Sequence, residues 1–405
     1  MVEPGESPSR WPVVTYETLP WEAHYDVGTA SRREIRRHTG PYQAAVVPRI
    51  AEVELRLPPD VQAAAAEAAS EIARFDQQMG ADIAPFHAVL LRSESAASSQ
   101  IENLTASARA IAEAELADGH GRSNAALVVA NTRAMTAAIE LADRLDGQAI
   151  LQMHDALMRP SAPDIAGRWR QQPVWIGGGH LGPHHAMFVP PQFSRVPDAI
   201  EDLVRFMERD DIAALAQAAV AHAQFETIHP FPDGNGRTGR ALVHALLRGK
   251  DVTRSITVPV SAGLLTDVEA YFAALNAYRD GHPERIVTML ADAAFAAISN
   301  GRQLVDELHA IRADWDARIK ARRGAHAWRI ADLLLGQPVV DAELVARELG
   351  VAKPNVYKPL ETLVAADILT ETSNRRRGRT WRSREVLAAV DAFAARVGRR
   401  GAATR

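Results

Sequence analysis

Alanine-rich segments with regularly spaced charges run through most of this chain of 405 residues, and they limit its fold more than any other feature. Alanine has the highest helix propensity, and apolar residues three or four positions apart form one stripe along a helix. This pattern predicts helices over 61–69, 85–117, 124–145, 196–209 and 212–228, with a further helix beginning at Ala241. We therefore predict a mainly α-helical protein.

Two parts of the chain depart from this pattern. Residues 1–57 are rich in proline and charged residues, which predicts an irregular arm with short helices. Further on, the β-branched and aromatic run Pro173-Val-Trp-Ile and the apolar run Met187-Phe-Val flank a glycine-rich turn, Gly177-Gly-Gly-His-Leu-Gly-Pro. Such runs around turn residues predict a β-hairpin with a long tip.

The C-terminal part has its own organisation. An apolar stripe over 304–319 predicts a connecting helix, and a compact pattern of three helices follows, with two short β segments around an arginine-rich tip. We predict an N-terminal helical region over 1–115, a core over 116–300, a connecting helix over 301–322, a compact domain over 323–390 and a basic tail over 391–405.

Composition excludes several kinds of site. The absence of cysteine excludes disulfides, thiolate nucleophiles and cysteine-ligated zinc. The formal net charge of -4 argues against general binding of polyanions, although it leaves local basic patches open. The N-terminus has no basic and apolar leader, and no apolar stretch is long enough to cross a bilayer. We expect a cytoplasmic protein without a membrane partner.

The run His229-Pro-Phe-Pro-Asp-Gly-Asn-Gly-Arg-Thr-Gly-Arg240 concentrates residues that carry chemistry. Its segment 234–239 has the glycine spacing of dinucleotide-binding loops, but a helix and a polar turn precede it instead of a strand. A P-loop is excluded because Arg240 and Ala241 replace the required Lys and Ser/Thr. A calcium loop is excluded because an arginine and a histidine stand where oxygen ligands are needed.

The same run favours an anion site at the start of a helix. The glycines on either side of Asn235 let backbone N–H groups approach an anion closely. Arg237 and Arg240 lie three apart on that helix, so both guanidinium groups can face one polyphosphate. Asp233 supplies a single carboxylate, which suits Mg²⁺ held mainly by phosphate oxygens and water. His229 precedes the loop and can act as a general base near neutral pH.

This run resembles the signature of the Fic family, H-x-F-x-[D/E]-G-N-G-R-x-x-R, at every fixed position from His229 to Arg240. The flanking segments that also resemble the family are Ala221-His-Ala-Gln-Phe-Glu-Thr-Ile, Gly167-Arg-Trp-Arg with Val174-Trp-Ile-Gly, and Tyr42-Gln-Ala-Ala-Val-Val-Pro-Arg-Ile. The resemblance implies a Fic helical core with a β-hairpin flap, and transfer of AMP from ATP to a protein hydroxyl.

The resemblance also implies a role for each residue of the run. His229 would deprotonate the target hydroxyl, Asp233 would hold Mg²⁺, and Phe231 would anchor the loop in the core. Arg237 would steady the β-phosphate of ATP and Arg240 the γ-phosphate. The implied ATP-binding residues are Gly234, Asn235, Gly236, Arg237, Thr238, Gly239 and Arg240, with Tyr271 and Phe272 near the adenine.

The predicted hairpin is similar to the family's flap, which pins a target protein as an added strand through main-chain hydrogen bonds. Ile176, Gly177 and Val189 are the flap residues expected to contact the target. Three histidines near the tip, His180, His184 and His185, have no carboxylate or cysteine partner nearby in the sequence. Their pattern therefore favours a solvated loop over a metal site.

A second run, Ser98-Ser-Gln-Ile-Glu-Asn103, matches the family's inhibitory pattern, [S/T]-x-x-x-E-[G/N]. Ser98 and Glu102 are four apart and therefore share one helical face, and Asn103 completes the pattern. The resemblance implies that Glu102 pairs with Arg240 and takes the place of the γ-phosphate, so that ATP binds only in an unreactive pose. The resting protein is then inhibited in cis.

The compact domain over 323–390 looks like the winged helix that follows some bacterial Fic cores. Its candidate DNA-binding residues are Lys353, Asn355, Tyr357 and Lys358 in the recognition helix and Arg375, Arg376, Arg377 and Arg379 in the wing. The alternative is a winged helix used for protein contacts or for a homodimer, with solvated arginines.

The leading hypothesis is an autoinhibited adenylyltransferase. It would use ATP and Mg²⁺, modify a Ser, Thr or Tyr hydroxyl of a target protein or of itself, and release pyrophosphate. One alternative is a DNA-binding regulator whose Fic core senses ATP and modifies itself. The other is an enzyme that removes AMP, because in some relatives the glutamate at the position of Glu102 positions water for that reaction.

Overall fold

A computed structural model describes residues 11–21, 37–80, 85–117, 119, 121–179, 181–372 and 378–400. These residues are mainly α-helical, as the alanine-rich pattern predicts. The first helices are α1 (Pro59–Gly80), α2 (Pro85–Ile101), α3 (Ala108–Leu116), α4 (Asn124–Glu140), α5 (Gly147–Met158), α6 (Val196–Met207) and α7 (Ala214–Ile228). The later helices are α8 (Asn235–Gly249), α9 (Val260–Leu264), α10 (Val268–Arg279), α11 (Pro283–Arg318), α12 (His326–Gly336), α13 (Ala342–Leu349), α14 (Tyr357–Ala365) and α15 (Arg384–Arg400).

Within the predicted irregular arm the structure describes two strands, which the sequence pattern did not predict; the predicted short helices stay a prediction, because residues 1–10 and 22–36 lie outside the described residues. Strands β1 (Thr15–Leu19) and β2 (Tyr42–Val46) pair in antiparallel register. Tyr42 and Ala44 on one face of β2 are buried against Val189. Alternating burial of this kind stabilises a strand, and it outweighs the proline-rich and charged composition of the arm.

The helix predicted over 85–117 is divided into α2 and α3. Asn103 adopts a left-handed backbone conformation with a φ of 61°, which ends α2. Helix α3 begins after Ser107, whose side chain accepts the N–H of Ala110 at 3.2 Å. A hydroxyl at this position satisfies an N–H group that has no partner within the helix. The break leaves Glu102 immediately after the last turn of α2.

Helix α7 lies at the centre of the fold, and every residue from 215 to 228 is buried. Helix α8 packs closely against it, since a Cβ on Gly239 would lie 2.9 Å from Phe225 Cδ1. Helix α11 continues for 36 residues without a break. The predicted connecting helix over 301–322 is therefore largely the second half of a helix that begins in the core.

The predicted hairpin is only partly formed. Its two arms meet at a single bridge between Ile176 and Phe188, without a strand on either side. The glycines over 177–179 have positive φ angles, and the prolines that border the second arm have no N–H to donate. These residues end the ladder after one pair. The second arm instead extends the β1–β2 sheet, because the N–H of Ala45 donates to the Val189 carbonyl at 2.9 Å.

The C-terminal part contains α12, β3 (Val339–Asp341), α13, α14, β4 (Thr370–Glu371), β5 (Thr380–Arg382) and α15. The three strands form an antiparallel sheet in the order β3-β5-β4, with Val340 opposite Trp381. Helix α15 runs through Arg400, so residues 391–400 of the predicted tail are helical. Among the described residues, no helix is long and apolar enough to cross a membrane.

Candidate functional site

The site begins where α7 ends. His229 closes the helix in a left-handed conformation with a φ of 49° and a ψ of 61°, and its N–H donates to the Phe225 carbonyl at 2.8 Å. A left-handed residue at this position turns the chain sharply out of the helix. Because histidine pays a steric cost there, the surrounding contacts must hold it in place.

Asn235 fixes the loop that follows His229. Its side-chain oxygen accepts the N–H of Phe231 at 2.9 Å, and its amide nitrogen donates to the carbonyl of the same residue at 2.8 Å. These two hydrogen bonds hold a rigid turn and place the Phe231 side chain in the core, where it is fully buried. Asn235 thus shapes the loop in addition to the anion-binding role implied by the resemblance.

His154 on α5 supports the same loop. Its ring stacks on Phe231 with centroids 3.6 Å apart, and Nδ1 accepts the N–H of Gly167 at 3.1 Å. Nε2 therefore carries the proton and donates to the Asp233 carbonyl at 3.0 Å. Burial lowers the pKa of His154 to about 4, so the ring stays neutral and keeps this tautomer at physiological pH.

Arg170 ties the histidine to the base of the predicted flap. Its Nε donates to the His229 carbonyl at 2.8 Å, while its other nitrogens reach the carbonyls of Gln172 and Pro191. The side chain is almost completely buried, and burial lowers its pKa to about 10. It still carries a positive charge near pH 7 and acts as a clamp on backbone carbonyls.

The N-terminus of α8 opens on a cavity of about 320 Å³. Gly234 precedes the helix with a φ of 79°, and Gly236 in its first turn borders the cavity. Arg237 is buried, and its Nε has no hydrogen-bond partner among the described residues. The side chain of Asp233 is 66% exposed and lies 3.7 Å from Arg237 Nη2. The cavity is also bordered by Glu102, Leu104, Leu127, Met158, Ser161, His229, Pro232 and Asn235.

Arg240 is buried one turn further along α8 and contacts the end of α2. Its Nε donates to Ser98 Oγ at 2.9 Å, and Nη2 donates to the Ser98 carbonyl at 2.8 Å and to Glu102 Oε1 at 2.9 Å. Burial disfavours the charged guanidinium, but the interactions with Glu102, Tyr271 and Glu226 together outweigh it and raise the pKa of Arg240. The contact between Glu102 and Arg240 is the ion pair that the sequence motif implies.

Glu226 lies beneath His229 on α7. Its Oε2 is 3.7 Å from Nδ1 of His229, an ion-pair distance rather than a hydrogen bond. Burial would raise the pKa of Glu226, but His229, His222 and Arg240 outweigh it and lower the pKa to about 2. Glu226 is therefore a buried carboxylate that stays ionised beside the His229 ring.

Two residues expected to bind ATP are placed elsewhere. Thr238 is completely buried, and Gly239 packs against α7, where a Cβ would lie 3.1 Å from Glu226 Oε1. Neither borders the cavity. Of the expected adenine pair, Tyr271 is buried with its hydroxyl 2.8 Å from His222 Nε2, and Phe272 is 46% exposed.

The three expected flap residues differ in how much of their surface is free. The N–H of Ile176 donates to the Phe188 carbonyl, and its own carbonyl accepts the N–H of Met187, both at 2.8 Å. The Val189 carbonyl is bonded to Ala45, and its side chain is buried. These backbone groups already have partners within the chain, and the expected contact of Ile176, Gly177 and Val189 with a target stays a prediction. Gly177 is exposed.

The predicted DNA-binding residues differ in how far their side chains are exposed and in whether they already have partners. Lys353, Asn355 and Lys358 are exposed, whereas Tyr357 is half-buried against the ring of Trp381. Arg379 forms an ion pair with Glu371 and lies 5.2 Å above the Trp381 ring, so its charge is already partly used. The residues Arg375, Arg376 and Arg377 lie outside the described residues.

Sequence reasoning missed several residues of the site. Glu226 had a readable signal, because a position three before His229 lies on the same face of α7. Arg170 belongs to a segment that resembles the family, but nothing in the sequence connected it or His154 to this loop, since they reach it from 59 and 79 residues away. Within the described residues, no group of three histidine or acidic side chains is placed to hold a metal by itself.

Comparisons with known proteins agree with this site. Residues 144–247 match the family model described as the Fic/DOC family. The protein adenylyltransferase fic-1 of Caenorhabditis elegans is 30% identical over 159 residues, which are 38% of this chain and 28% of that protein. A probable protein adenylyltransferase of Aquifex aeolicus is 43% identical over 63 residues, 15% of this chain and 20% of that protein.

Among solved structures, a Fic family protein from Desulfovibrio desulfuricans aligns with a TM-score of 0.49 and 22% identity, over 81% of this chain and 97% of that one. The segments that match the Caenorhabditis elegans and Aquifex aeolicus proteins make up less than a third of the length of each of those proteins. The site is a histidine that closes one helix, followed by a glycine-containing loop and the N-terminus of the next helix. Residues 144–247 contain a domain of the Fic/DOC family, and the run from His229 to Arg240 lies within them.

Proposed function

We propose that this chain transfers AMP from ATP to a Ser, Thr or Tyr hydroxyl of a target protein or of itself. The proposal rests on Arg237, whose buried guanidinium borders the cavity. Its Nε has no hydrogen-bond partner among the described residues. Its only close carboxylate among the described ion pairs, Asp233, is 3.7 Å away. Since a buried charge without a full set of partners is costly, the arrangement favours binding of an anion.

The anion that fits is a polyphosphate. The first turn of α8 presents backbone N–H groups and the positive end of the helix dipole to the cavity. Gly236 leaves room there, because any side chain at this position would fill the space in front of the N–H groups. With Arg237 buried beside it and Arg240 one turn behind, the site offers two guanidinium groups to successive phosphates.

Mg²⁺ fits the site through Asp233. Its exposed carboxylate stands at the rim of the cavity, and one carboxylate with phosphate oxygens and water is a common Mg²⁺ environment. The ion would neutralise charge on the phosphates. Asp233 is held in place because its Oδ1 accepts the N–H of Gly234 at 2.6 Å and its carbonyl accepts a bond from His154.

His229 is the general base of the proposed reaction. Its Nδ1 is buried on the side of Glu226, which leaves Nε2 for the target hydroxyl. The hydroxyl oxygen forms a bond to the α-phosphorus of ATP as the bond from that phosphorus to the bridging oxygen breaks. The hydroxyl proton moves to His229 Nε2, and pyrophosphate leaves with the bond electrons. The negative charge of Glu226 stabilises the imidazolium that results.

We also propose that Glu102 inhibits this reaction. Its carboxylate forms the ion pair with Arg240 and lies over Gly236, where the terminal phosphates of ATP would otherwise bind. A nucleotide that binds beside it must place its phosphates differently, away from in-line attack by the hydroxyl. The inhibition is intramolecular because both residues belong to one chain.

Labelled ATP tests both proposals. Purified Glu102→Gly protein, incubated with α-labelled ATP and Mg²⁺, should acquire label on itself or transfer it to a lysate protein, at a rate about tenfold or more above wild type. Adding His229→Ala should abolish labelling. As a matched control, His282→Ala removes an exposed histidine that pairs with Glu284 outside the cavity and should leave labelling intact.

Absence of label on the protein itself and on lysate proteins would overturn the proposal of AMP transfer. Loss of label from previously modified protein, on addition of wild type but not of Glu102→Gly, would show instead that removal of AMP is the main activity. Equal labelling by wild type and Glu102→Gly would contradict the inhibitory role while leaving the transfer reaction intact.

For the target, we propose docking along the exposed tip of the flap. Gly177 is exposed there, and the neighbouring Met187 is 79% exposed. Met187→Glu should lower the rate of target labelling while leaving the ATP dependence unchanged, because the flap does not border the phosphate cavity.

We propose that residues 323–390 form a winged helix that binds DNA. Three helices with the small β3-β5-β4 sheet support this fold. Two exposed lysines lie near the start of α14: Lys353 just before the helix and Lys358 in its first turn. Replacing both lysines by alanine should weaken retention of duplex DNA in a gel and reduce its salt dependence. Lys250→Ala, which removes a lysine paired with Asp210, is the control.

A further inference from the structure

A second cavity lies on the opposite side of α2 from the cavity at the N-terminus of α8, which is the proposed phosphate site. It has a volume of about 80 Å³ and is enclosed by α2, α3 and α15 together with residues near α9. Its walls are mainly apolar and include Val89, Ala97, Ala112 and Phe393. We call it the rear cavity. By comparison with the 10–15 Å³ that one water needs, it has room for about five to eight non-hydrogen atoms.

One face of α2 contacts α8 near the proposed phosphate site, and the opposite face borders the rear cavity. Ser98 contacts Arg240 on α8, and Glu102 does so from just after the end of α2. Ser93 and Ala97, one position before Glu94 and Ser98, border the rear cavity. With a rotation of about 100° per residue, the residues that border the rear cavity centre on the side of α2 that faces away from α8. A molecule in the rear cavity therefore packs against the helix that positions Glu102.

One polar group in the rear cavity lacks a partner. Ser93 is 5% exposed, and its Oγ has no hydrogen bond among the described residues. The neighbouring Ser95 behaves differently, since its hydroxyl donates to the Leu91 carbonyl one turn earlier. A buried hydroxyl without a partner costs free energy, and a ligand with one hydrogen-bonding group would remove that cost.

The charged residues at the rear cavity already have partners. Arg92 forms an ion pair with Glu115 at 2.7 Å and donates to Gln337 Oε1 at 2.6 Å. Asp391 accepts the N–H of Ala108 at 3.0 Å. Arg92 is therefore not left to balance an anionic ligand, and the mainly apolar walls suit a neutral molecule.

We propose that the rear cavity binds a small neutral molecule that is mainly apolar and carries one hydrogen-bonding group directed at Ser93. This site is separate from the phosphate cavity, and binding to it does not depend on the proposed AMP transfer. Its effect on activity does rest on that proposal. A ligand that fits the cavity as it stands stabilises the arrangement in which Glu102 contacts Arg240, and therefore strengthens inhibition.

Phenol and toluene are matched probes, because they have the same number of non-hydrogen atoms and differ only in that phenol carries a hydroxyl where toluene carries a methyl group. Both should bind wild-type protein at millimolar concentration in ligand-observed NMR titrations. Ser93→Ala should raise the Kd of phenol about three- to tenfold, the loss expected for one hydrogen bond, and leave that of toluene unchanged. Ala112→Leu should abolish binding of both, because it fills the cavity, whereas Ala66→Leu on the exposed face of α1 should change neither.

Absence of binding by both probes to wild type, or binding unaffected by both Ser93→Ala and Ala112→Leu, would overturn the site. In the labelling assay, phenol at ten times its Kd should reduce the basal rate of wild type by about tenfold. Glu102→Gly protein should be insensitive to phenol, since it lacks the inhibitory contact. Activation of wild type by phenol would overturn the proposed effect on inhibition while leaving the binding site in place.

Discussion

Glu102 Oε1 lies 2.9 Å from Arg240 Nη2, and the same oxygen would lie 2.0 Å from a Cβ placed on Gly236. One carboxylate thus neutralises the second arginine of α8 and fills the space in front of the helix N-terminus. An anion at this point is attracted by both the guanidinium and the helix dipole. Glu102 supplies that anion from within the same chain.

Ser98→Ala should partly relieve the inhibition that we propose for Glu102. The substitution removes the hydroxyl that accepts the N–H of Arg240 Nε at 2.9 Å, while the Ser98 carbonyl and Glu102 keep their bonds to Nη2. A hydrogen bond to a charged group contributes about 1.5 kcal/mol or more. We therefore expect the rate of AMP transfer to rise severalfold, up to about tenfold and by less than in Glu102→Gly, in the labelled-ATP assay.

Ser95→Ala is the matched control. This serine is also buried on α2, but its hydroxyl bonds only to the Leu91 carbonyl within the same helix. It should change the labelling rate by less than about twofold. Equal activation by both serine variants would mean that α2 is loosened in general, and would contradict a specific role for Ser98.

Gly236→Ala and Gly239→Ala should fail in different ways. A Cβ on Gly236 would enter the space occupied by Glu102, so in Glu102→Gly protein it should block the phosphates and lower kcat/KM on the order of a hundredfold. A Cβ on Gly239 would meet Phe225 at 2.9 Å instead. It should lower the free energy of unfolding by about 1–3 kcal/mol, measured in urea, and leave the affinity for ATP unchanged.

The reverse pattern, in which Gly239→Ala weakens ATP binding without loss of stability, would restore the ATP-binding role that the sequence motif suggested for Gly239. Thermal unfolding of both variants without nucleotide separates the two effects, because only the overpacked helix contact between α7 and α8 lowers stability in the absence of ligand.

The helical parts of the fold could be predicted because alanine propensity and apolar spacing act within each segment. The helix N-terminus that carries the proposed anion site could also be predicted, since its residues lie within twelve positions from His229 to Arg240. The i, i+4 spacing placed Ser98 and Glu102 on one face but did not say what that face meets. The partner, Arg240, came from the family resemblance and not from the spacing.

The parts that could not be predicted depend on contacts between distant segments. The two strands of the N-terminal arm form because β2 finds Val189 to pack on. The hairpin shortens to one bridge because its second arm bonds to β2 instead of extending the first arm. Arg170 looks like any surface arginine in the sequence, and only the fold reveals that it clamps the His229 carbonyl.

Stability should depend on pH through His154. Burial lowers its pKa from 6.5 to about 4 in the folded protein, so between these values the unfolded chain binds a proton that the folded one does not. The stability that neutral His154 supports is fully present above pH 6.5 and is lost as the pH falls towards 4. We expect wild type to lose about 2 kcal/mol from this group between pH 7.5 and pH 4.5.

His154→Phe tests this dependence, because phenylalanine keeps the stack on Phe231 without a titrating group. The difference in free energy of unfolding between wild type and variant, measured by urea titration, should shrink as the pH falls. Other buried histidines with lowered pKa values, such as His222 and His87, contribute equally to both proteins and cancel in the difference. A constant difference from pH 7.5 to 4.5 would contradict the assignment.

A buried pair, one turn before Ser98 on α2 and one turn after Arg240 on α8, should anchor the helix that carries the proposed inhibitory contact. Glu94 Oε1 lies 2.9 Å from Nε2 of His244, and Ser261 donates its N–H to Glu94 Oε2 at 2.8 Å. Glu94 and Ser98 are four apart, as are Arg240 and His244. The two helices thus carry matched polar faces that hold α2 in register with α8.

His244→Ala should lower the free energy of unfolding by about 3 kcal/mol, because it leaves Glu94 buried with only the bonds from Ser261. Glu94→Gln with His244→Ala should lose less than the sum of the single variants, since no uncompensated charge remains. Glu94→Gln alone should also raise the labelling rate, because it loosens the register that places Glu102. The exposed Arg109–Glu113 pair is the control, whose removal should cost less than about 0.5 kcal/mol. Additive losses at Glu94 and His244, with no change in labelling, would contradict the anchoring role.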